Sequence, residues 1–251
     1  MQSDNDNSEQ LIRENLAFIH RRIAAACAAS EREITAVKLL LATKTVPPEK
    51  IKIAIANGET LIGENKIQEL KEKDAALAGL KLERHFIGHL QSNKVKDVLR
   101  YASCIQSVDR LAIAEALQKR LELESRQLDI MIQVNTSFEE SKFGLHPDQV
   151  LHFVEAMKQF PLLHITGLMT IGLFDADPEK VRPSFRLLRT LRDEIVNNGL
   201  LPAAQCRELS MGMSGDLETA IAEGATIVRV GTAIFGKRSY PDSYYWNEQT
   251  A

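Results

Sequence analysis

The sequence predicts an α/β protein built as a single (β/α)8 TIM barrel with an extra N-terminal helix. Eight short β-rich runs alternate with helical patterns, and such alternation requires parallel strands joined by right-handed crossovers. Eight units of this kind close into a barrel, whereas an open doubly wound sheet usually has fewer strands. The length of 251 residues is also typical of one barrel domain.

The elements follow a regular order after an opening helix. Residues 9–30 predict an amphipathic helix, because apolar side chains recur at helical spacing at Leu11, Leu16, Ile19 and Ile23. Strands are predicted at residues 37–43, 60–63, 84–88, 103–106, 129–135, 163–170, 206–210 and 226–230. Helices are predicted at residues 48–57, 65–78, 92–101, 109–125, 147–159, 178–198 and 214–223.

The folded domain is predicted to occupy residues 9–238, including the N-terminal helix. The ten residues MQSDNDNSEQ that open the sequence are polar and acidic, unlike a secretory signal, and we expect residues 1–8 to be a disordered tail. Residues 239–251 are expected to form a C-terminal tail outside the barrel.

Composition and charge exclude several classes of function. The chain is 44% hydrophobic and 26% charged with a net charge of −3, which provides no basic field for nucleic acid or for an anionic membrane. No apolar run approaches the ~18 residues that a membrane helix needs. Three widely spaced cysteines without a CxxC pair predict reduced, mostly buried thiols in a cytoplasmic protein, and no metal site is predicted; these are Cys27, Cys104 and Cys206.

A lysine stands where a buried strand runs into a turn, in the stretch LLLATKTVPPEKI at residues 39–51. Because strand residues alternate between two faces, Leu40, Ala42 and Lys44 share one face of the first strand. The same rule places Arg229 on the inner face of the last strand, which is the neighbour of the first in a closed barrel. We therefore expect Lys44 and Arg229 to line one end of the interior.

Two neighbouring cations should lower the pKa of the lysine, so that part of Lys44 is the neutral amine that attacks a carbonyl. This is the environment that a Schiff-base lysine needs. The alternative is a strand-end lysine whose ammonium group simply reaches solvent.

Two loops rich in glycine and hydroxyl groups follow the last two strands, as SMGMSGD at residues 210–216 and VGTAIFG at residues 230–236. The loops after the seventh and eighth strands are the usual phosphate site of this fold, and helix N-termini there favour an anion. The alternative is that the loops only cap their helices. The sequence predicts phosphate ligands among Ser210, Gly212, Ser214, Gly215, Gly231 and Thr232.

A neutral lysine and a phosphate site at one barrel mouth describe a receptor for a phosphate ester that carries an aldehyde. Pyridoxal phosphate (PLP) fits this description, with Lys44 forming the imine and the two loops holding the phosphate. Arg229 would then face the ring nitrogen and keep it unprotonated, which weakens the ring as an electron sink.

Six blocks of the sequence, in order from about residue 36 to residue 238, closely resemble the PLP homeostasis protein family. They are ATKT around Lys44, GEN at 63–65, HFIGHLQSNK at 85–94, GLMTI at 167–171, SMGMSGDLETAIAEGAT at 210–226 and VRVGTAIFG at 228–236. The resemblance implies a fold like the N-terminal barrel of alanine racemase, the fold type III arrangement of PLP proteins.

The resemblance also implies roles for single residues. It implies a PLP aldimine on Lys44, with Asn65 near the ring hydroxyl, Met169 near the ring and Arg229 at the ring nitrogen. It implies that the phosphate is held by Ser210, Gly212, Ser214, Gly231 and Thr232. The function implied is storage and delivery of PLP without established turnover, by a monomer that transiently meets apo PLP-dependent enzymes, so no catalytic residue is predicted.

Two alternative functions stay open at this point. A single-domain PLP racemase or lyase would need a second acid/base group, for which candidates exist in the loop predicted after the third strand and near the C-terminus: His85, His89, Tyr240, Tyr244 and Tyr245. Lys142 is either a second amine for the cofactor or an exposed, solvated lysine. A class I aldolase would use Lys44 and the phosphate site without any cofactor.

Overall fold

The computed structural model describes residues 2–236, and side chains from residue 7 onward. Its eight parallel strands form a closed barrel in chain order, as the alternation predicted. The strands are β1 Lys38–Ala42, β2 Leu61–Glu64, β3 Glu83–Phe86, β4 Cys104–Val108, β5 Leu128–Gln133, β6 Leu163–Met169, β7 Glu208–Ser210 and β8 Ile227–Val230.

The helices surround this barrel. They are α1 Gln2–Ala29, α2 Pro48–Ala56, α3 Ile67–Asp74, α4 Val95–Leu99, α5 Leu111–Glu124, α6 Val150–Met157, α7 Pro178–Asn197, α8 Leu217–Ala222 and α9 Thr232–Phe235. Every predicted strand and helix overlaps one of these elements, which confirms the predicted order.

The opening helix begins earlier than expected. The structure is helical from Gln2, seven residues before the predicted helix start at residue 9, and the disorder expected of residues 1–8 stays a prediction. Apolar periodicity marks only the part of a helix that packs against a core, and a polar extension of the same helix gives no such signal. The tail predicted at residues 239–251 lies outside the described residues.

The extra helix α1 packs against α2, α8 and α9 and joins the main apolar core. Its buried apolar stripe contains Ile12, Leu16, Ile19 and Ile23. Leu11, which we expected in this stripe, is 54% exposed, because the neighbouring Ile12 takes the inward position.

Alternation along the strands separates two apolar clusters, as predicted. The side chains of Leu40, Met169 and Ile227 belong to a small cluster inside the barrel, whereas Leu41 and Val228 belong to the large cluster between the barrel and the helices. In the paired strands β1 and β8, Leu40 lies opposite Arg229. This pairing brings the end of the first strand beside the buried arginine.

Several further observations bear on the class of the protein. The three cysteines are buried and none forms a disulfide. Among the described residues, no helix is long and apolar enough to cross a membrane. Residues 2–236 also contain no group of three or more metal-ligating side chains suited to an ion.

Candidate functional site

A cavity of about 410 Å³ opens among the loops that follow the barrel strands. Eight of the ten predicted ligands line it: Lys44, Asn65, Met169, Ser214, Gly215, Arg229, Gly231 and Thr232. Two of them, Ser210 and Gly212, do not line it. The structure thus brings together residues that are up to 188 positions apart in the sequence, from Lys44 to Thr232.

Side chains of β2 and α3 form hydrogen bonds with the residues on either side of Lys44. The Thr43 hydroxyl donates to Glu64 Oε1 at 2.6 Å, and Lys73 Nζ donates to the Thr43 carbonyl at 2.8 Å. Thr45 has a φ of +64°, which is unusual for a residue with a side chain, and its N–H donates to Glu69 Oε2 at 2.5 Å. Lys44, which lies between these two hydrogen-bonded threonines, is half-buried and lines the cavity.

These contacts form a buried group of charges behind Lys44. Lys73 Nζ lies 2.7 Å from Glu64 Oε1 and 2.6 Å from Glu69 Oε2, and both Lys73 and Glu64 are buried. The pKa of Glu64 is raised to about 7, mainly by burial and in part by the neighbouring Glu69, against the opposing effect of Lys73. One oxygen of Glu64, Oε2, has no hydrogen-bond partner. The support of the Lys44 loop therefore contains a carboxyl group poised near neutral pH.

Arg229 is buried at the end of β8 and lines the cavity. Its Nη1 donates to Ser210 Oγ at 2.9 Å and its Nη2 donates to the Thr170 carbonyl at 2.7 Å. Burial lowers the pKa of Arg229 to about 10, and the charge of Asp216 opposes that shift. The guanidinium therefore stays protonated at neutral pH, and among the described residues it forms no ion pair.

Ser210 and Gly212 have positions that differ from the predicted phosphate contacts. The Ser210 hydroxyl is fully buried, where it donates to Gln106 Oε1 at 2.7 Å and accepts from Arg229. Gly212 has a φ of +91°, and an added Cβ would lie 2.5 Å from the Cβ of Ala220. Ser210 is therefore turned into the barrel interior, and Gly212 packs closely against α8, so neither residue lines the cavity.

The two predicted phosphate loops do meet at the cavity. Ser214 Oγ lies 3.4 Å from Thr232 Oγ1, although 18 residues separate them. The carboxylate of Asp216 turns back into its own loop, where Oδ1 accepts the N–H of Met213. From α1, Arg22 Nη1 donates to the Ser214 carbonyl at 2.9 Å, so a cation that sequence patterns did not single out supports this loop.

Glycine is required where β8 enters the second loop. An added Cβ on Gly231 would lie 2.7 Å from the carbonyl oxygen of Ala42. The absence of a side chain lets the ends of β1 and β8 approach closely, which places Thr232 and Lys44 in the same cavity.

Asn65 lines the cavity with an unused acceptor. Its Oδ1 is buried and has no hydrogen-bond partner, which is costly unless a ligand or water supplies a donor. Apolar side chains of Ile87 and Met169 line the same cavity. The site therefore combines an apolar surface with a few convergent polar groups, as small-molecule sites do.

The remaining candidates fall into two groups. His89 and Lys142 line the cavity; the His89 ring stacks on Phe143 with centroids 3.8 Å apart, and Lys142 Nζ donates to the Gly172 carbonyl at 2.7 Å. Lys142 also pairs with Glu139 and is thus not simply a solvated lysine. His85 lies within β3, not in the loop after it, and is buried away from the cavity.

The candidates Tyr240, Tyr244 and Tyr245 lie outside the described residues.

Sequence patterns missed several residues that support the site. Gln106 carried a usable signal, because a polar residue at an inward position of a strand must find a buried partner. Lys73 carried no such signal, since a lysine on a polar helix is usually exposed.

A closed parallel barrel with a lysine after its first strand and a buried arginine at the end of its last strand defines a barrel of the alanine racemase N-terminal class. Residues 12–239 match the family model described as "Alanine racemase, N-terminal domain".

Relatives narrow this class further. The chain is 45% identical over 229 residues to the "Pyridoxal phosphate homeostasis protein" of Aquifex aeolicus strain VF5, covering 90% of this chain and 98% of that protein. It is 37% identical over 237 residues to the Homo sapiens protein of the same name, covering 90% and 86%. The structure of PipY of Synechococcus elongatus PCC7942 with PLP bound superimposes with a TM-score of 0.77 at 32% identity, covering 90% of this chain and all of PipY. This chain belongs to the pyridoxal phosphate homeostasis protein family.

Proposed function

We propose that this chain binds PLP through a covalent bond to Lys44, and that it stores and delivers the cofactor within the cell. The observation that carries the proposal is a single cavity lined by a lysine, a buried arginine and the paired hydroxyls of Ser214 and Thr232. The relative PipY, whose structure holds PLP, has the same fold. That likeness favours PLP over a cofactor-free aldolase.

The residues present fit PLP. The cofactor would supply a reactive aldehyde, and the Lys44 amine is the group that would bind its carbon. The unused Oδ1 of Asn65 is an acceptor suited to the ring hydroxyl. Ser214 and Thr232 provide hydroxyl donors for the phosphate, and Arg22 adds a cation behind Ser214.

Arg229 favours storage over catalysis. Its contacts with Ser210 and Thr170 use two of the five N–H donors of a guanidinium, so donors are left for the ring nitrogen. A permanent donor at that nitrogen keeps it unprotonated, and an unprotonated ring is a poor electron sink. We infer that this contact weakens catalysis by the bound cofactor, while turnover would further need a second acid/base group.

A PLP racemase or lyase is the second candidate, because His89 and Lys142 are titratable groups that line the same cavity. Either could act as the second acid/base group that such an enzyme needs. Exchange of the α-proton of amino acids in heavy water separates the two functions: a carrier is expected to show no more exchange than free PLP.

The first test is the visible absorption spectrum of protein mixed with PLP, before and after borohydride reduction. We expect a band that reduction removes while fixing the cofactor on the peptide containing Lys44. Lys44→Ala should abolish this covalent attachment and leave weak binding through the phosphate. Lys142→Ala is the matched control, since Lys142 lines the same cavity, and it should retain the band. Label on Lys142 in the wild-type protein, or no band, would contradict the proposal.

Delivery is proposed to occur by transient contact between a monomeric carrier and apo PLP-dependent enzymes in the cytoplasm. Activation of an apo-enzyme by the PLP-loaded chain, at a rate that depends on the concentration of both proteins, would support direct contact. A rate equal to that of spontaneous release would contradict it, and light scattering of the loaded chain measures its oligomeric state.

A further inference from the structure

A continuous series of hydrogen bonds crosses the barrel interior beneath Arg229. Arg229 Nη1 lies 2.9 Å from Ser210 Oγ, which lies 2.7 Å from Gln106 Oε1. Gln106 Nε2 lies 2.6 Å from His85 Nδ1, and His85 Nε2 lies 2.8 Å from Glu83 Oε1. These five side chains, which we name the interior chain, come from four strands: β3, β4, β7 and β8.

The interior chain has one direction. A guanidinium can only donate, so the Ser210 oxygen accepts and its own hydrogen points to Gln106 Oε1. The Gln106 amide nitrogen must then donate to His85 Nδ1. A neutral imidazole that accepts at Nδ1 carries its proton on Nε2, which donates to the Glu83 carboxylate. Each donor thus meets an acceptor from the arginine to the carboxylate.

Burial makes this arrangement costly to alter. Ser210 and Gln106 are fully buried and His85 is 4% exposed, so a polar group that lost its partner there would find no water. Only Glu83, at the start of β3, reaches solvent, with 57% of its side chain exposed. The interior chain therefore joins a buried cation at the cavity to a carboxylate at the other end of the barrel.

We propose that Glu83, His85 and Gln106 are positioning residues that act through Ser210 to hold the guanidinium of Arg229 against the cofactor ring. This inference rests on the proposed binding of PLP. It also gives Ser210 a role that differs from the predicted phosphate contact.

The interior chain keeps the carboxylate of Glu83 away from Arg229 while still connecting the two. A carboxylate in direct contact with Arg229 would occupy the donors that the ring nitrogen needs, and its charge would favour protonation of that nitrogen. The charge of Asp216 does act on Arg229, but this carboxylate accepts the N–H of Met213 in its own loop. Neutral links let Glu83 fix the orientation of the guanidinium while leaving the cavity free of negative charge.

The test compares variants inside and outside the interior chain by titration with PLP. Gln106→Met removes both hydrogen bonds of the central link at similar volume, and Met131→Leu is its control, since Met131 is buried inside the barrel without being in the chain. Glu83→Gln removes the terminal charge. Asp129→Asn is its control, since Asp129 is near the start of β5, at the same end of the barrel, and is also exposed.

We expect Gln106→Met to weaken PLP binding by about tenfold, which is the order of one buried hydrogen bond, and to change the wavelength of the visible band. Glu83→Gln should change the band in the same direction by less. Both controls should keep the wild-type band and an affinity within about twofold. All variants should bind inorganic phosphate equally, because the paired hydroxyls of Ser214 and Thr232, which are proposed to hold the phosphate, lie outside the interior chain.

The proposal is overturned if Gln106→Met and Glu83→Gln keep the wild-type band, or if Asp129→Asn changes it as much as Glu83→Gln. Equal loss of PLP and inorganic phosphate affinity in Gln106→Met, with an unchanged band, would show a merely structural role. Should Gln106→Met fail to fold, Glu83→Gln decides, since its site is exposed. A wild-type chain that binds no PLP at all would overturn the proposed function itself, before any variant is compared.

Discussion

Glu64 and Lys73 form the support on which Lys44 depends. Lys73 contacts the backbone of Thr43 as well as two carboxylates, so removing it leaves the buried charge of Glu64 without its cationic partner. Breaking a buried ion pair by deleting one member costs more than the pair itself contributes, because the other charge stays buried.

Lys73→Met is therefore expected to lower the free energy of unfolding by about 3 kcal/mol at neutral pH. Burial holds the pKa of Glu64 above its ordinary value of 4.5, so between 4.5 and about 7 the folded state binds more protons than the unfolded state. The contribution of Glu64 to stability thus falls as pH rises through this range. Without Lys73 the pKa rises further, and urea unfolding should show a larger loss at about pH 8 than at about pH 5.

The double variant Glu64→Gln with Lys73→Met is the control for this prediction. It removes the unpaired carboxylate, so it should recover part of the stability at about pH 8 and show a weaker pH dependence. A loss in Lys73→Met that is equal at both pH values would contradict the role assigned to Glu64.

The join between β1 and β8 decides where the site forms. Parallel pairing sets Leu40 beside Arg229, and Gly231 then allows the end of β8 to approach the Ala42 carbonyl. The loop after β8 and the loop after β1 can therefore share one cavity. A strand order in which these two elements did not meet would separate Lys44 from Arg229.

Gly231→Ala is expected to lower the unfolding free energy by about 2 kcal/mol and to weaken PLP binding, because the added Cβ would lie 2.7 Å from backbone and must displace a strand end. Gly215→Ala is the matched control in the other phosphate loop, since an added Cβ there meets nothing within 4 Å. Thermal unfolding measures the stability of both variants, and titration with PLP measures their affinity. Equal destabilisation by the two changes would mean that the close approach of β1 and β8 is not the reason for glycine.

The helix α1 is an addition to the eight-stranded barrel, but it shares one continuous apolar core with it. Its apolar stripe lies in the same core cluster as residues of β1 and α8, and Asn15 Nδ2 donates to the Ile234 carbonyl at 2.9 Å while Arg22 pairs with Glu218 at 2.6 Å. These contacts connect α1 to both helices that follow the phosphate loops. We therefore expect α1 to unfold together with the barrel.

Ile19→Ala should lower the unfolding free energy by about 3 kcal/mol, because Ile19 is fully buried, while Phe18→Ala should cost far less, since Phe18 is 51% exposed. Denaturation followed by far-ultraviolet circular dichroism should give one transition for both variants. A separate early transition in Ile19→Ala would show that α1 is an independent unit.

Much of the fold followed from short patterns, and the exceptions occur where such a pattern is very short or absent. Strand order and the inward face of Leu40 and Arg229 were predicted correctly, and the loops around Ser214 and Thr232 meet at one cavity as expected, while their role as phosphate ligands stays a prediction. The inward turn of Ser210 was missed, because β7 is only three residues long and offers little alternation to interpret. The early start of α1 was missed because its first residues pack no apolar stripe.

Alternation of strands and helices, the period of two within a strand and the glycine-rich loops are properties of neighbouring residues, and they were enough to establish the barrel and to select most of the residues around its mouth. The partners of Arg229, the support of Lys44 by Lys73 and the contact of Arg22 with Ser214 depend on how far each element is staggered and turned against residues distant in sequence. Burial makes those pairings strong, and burial is a property of the assembled molecule, so only the folded barrel shows which buried polar groups meet.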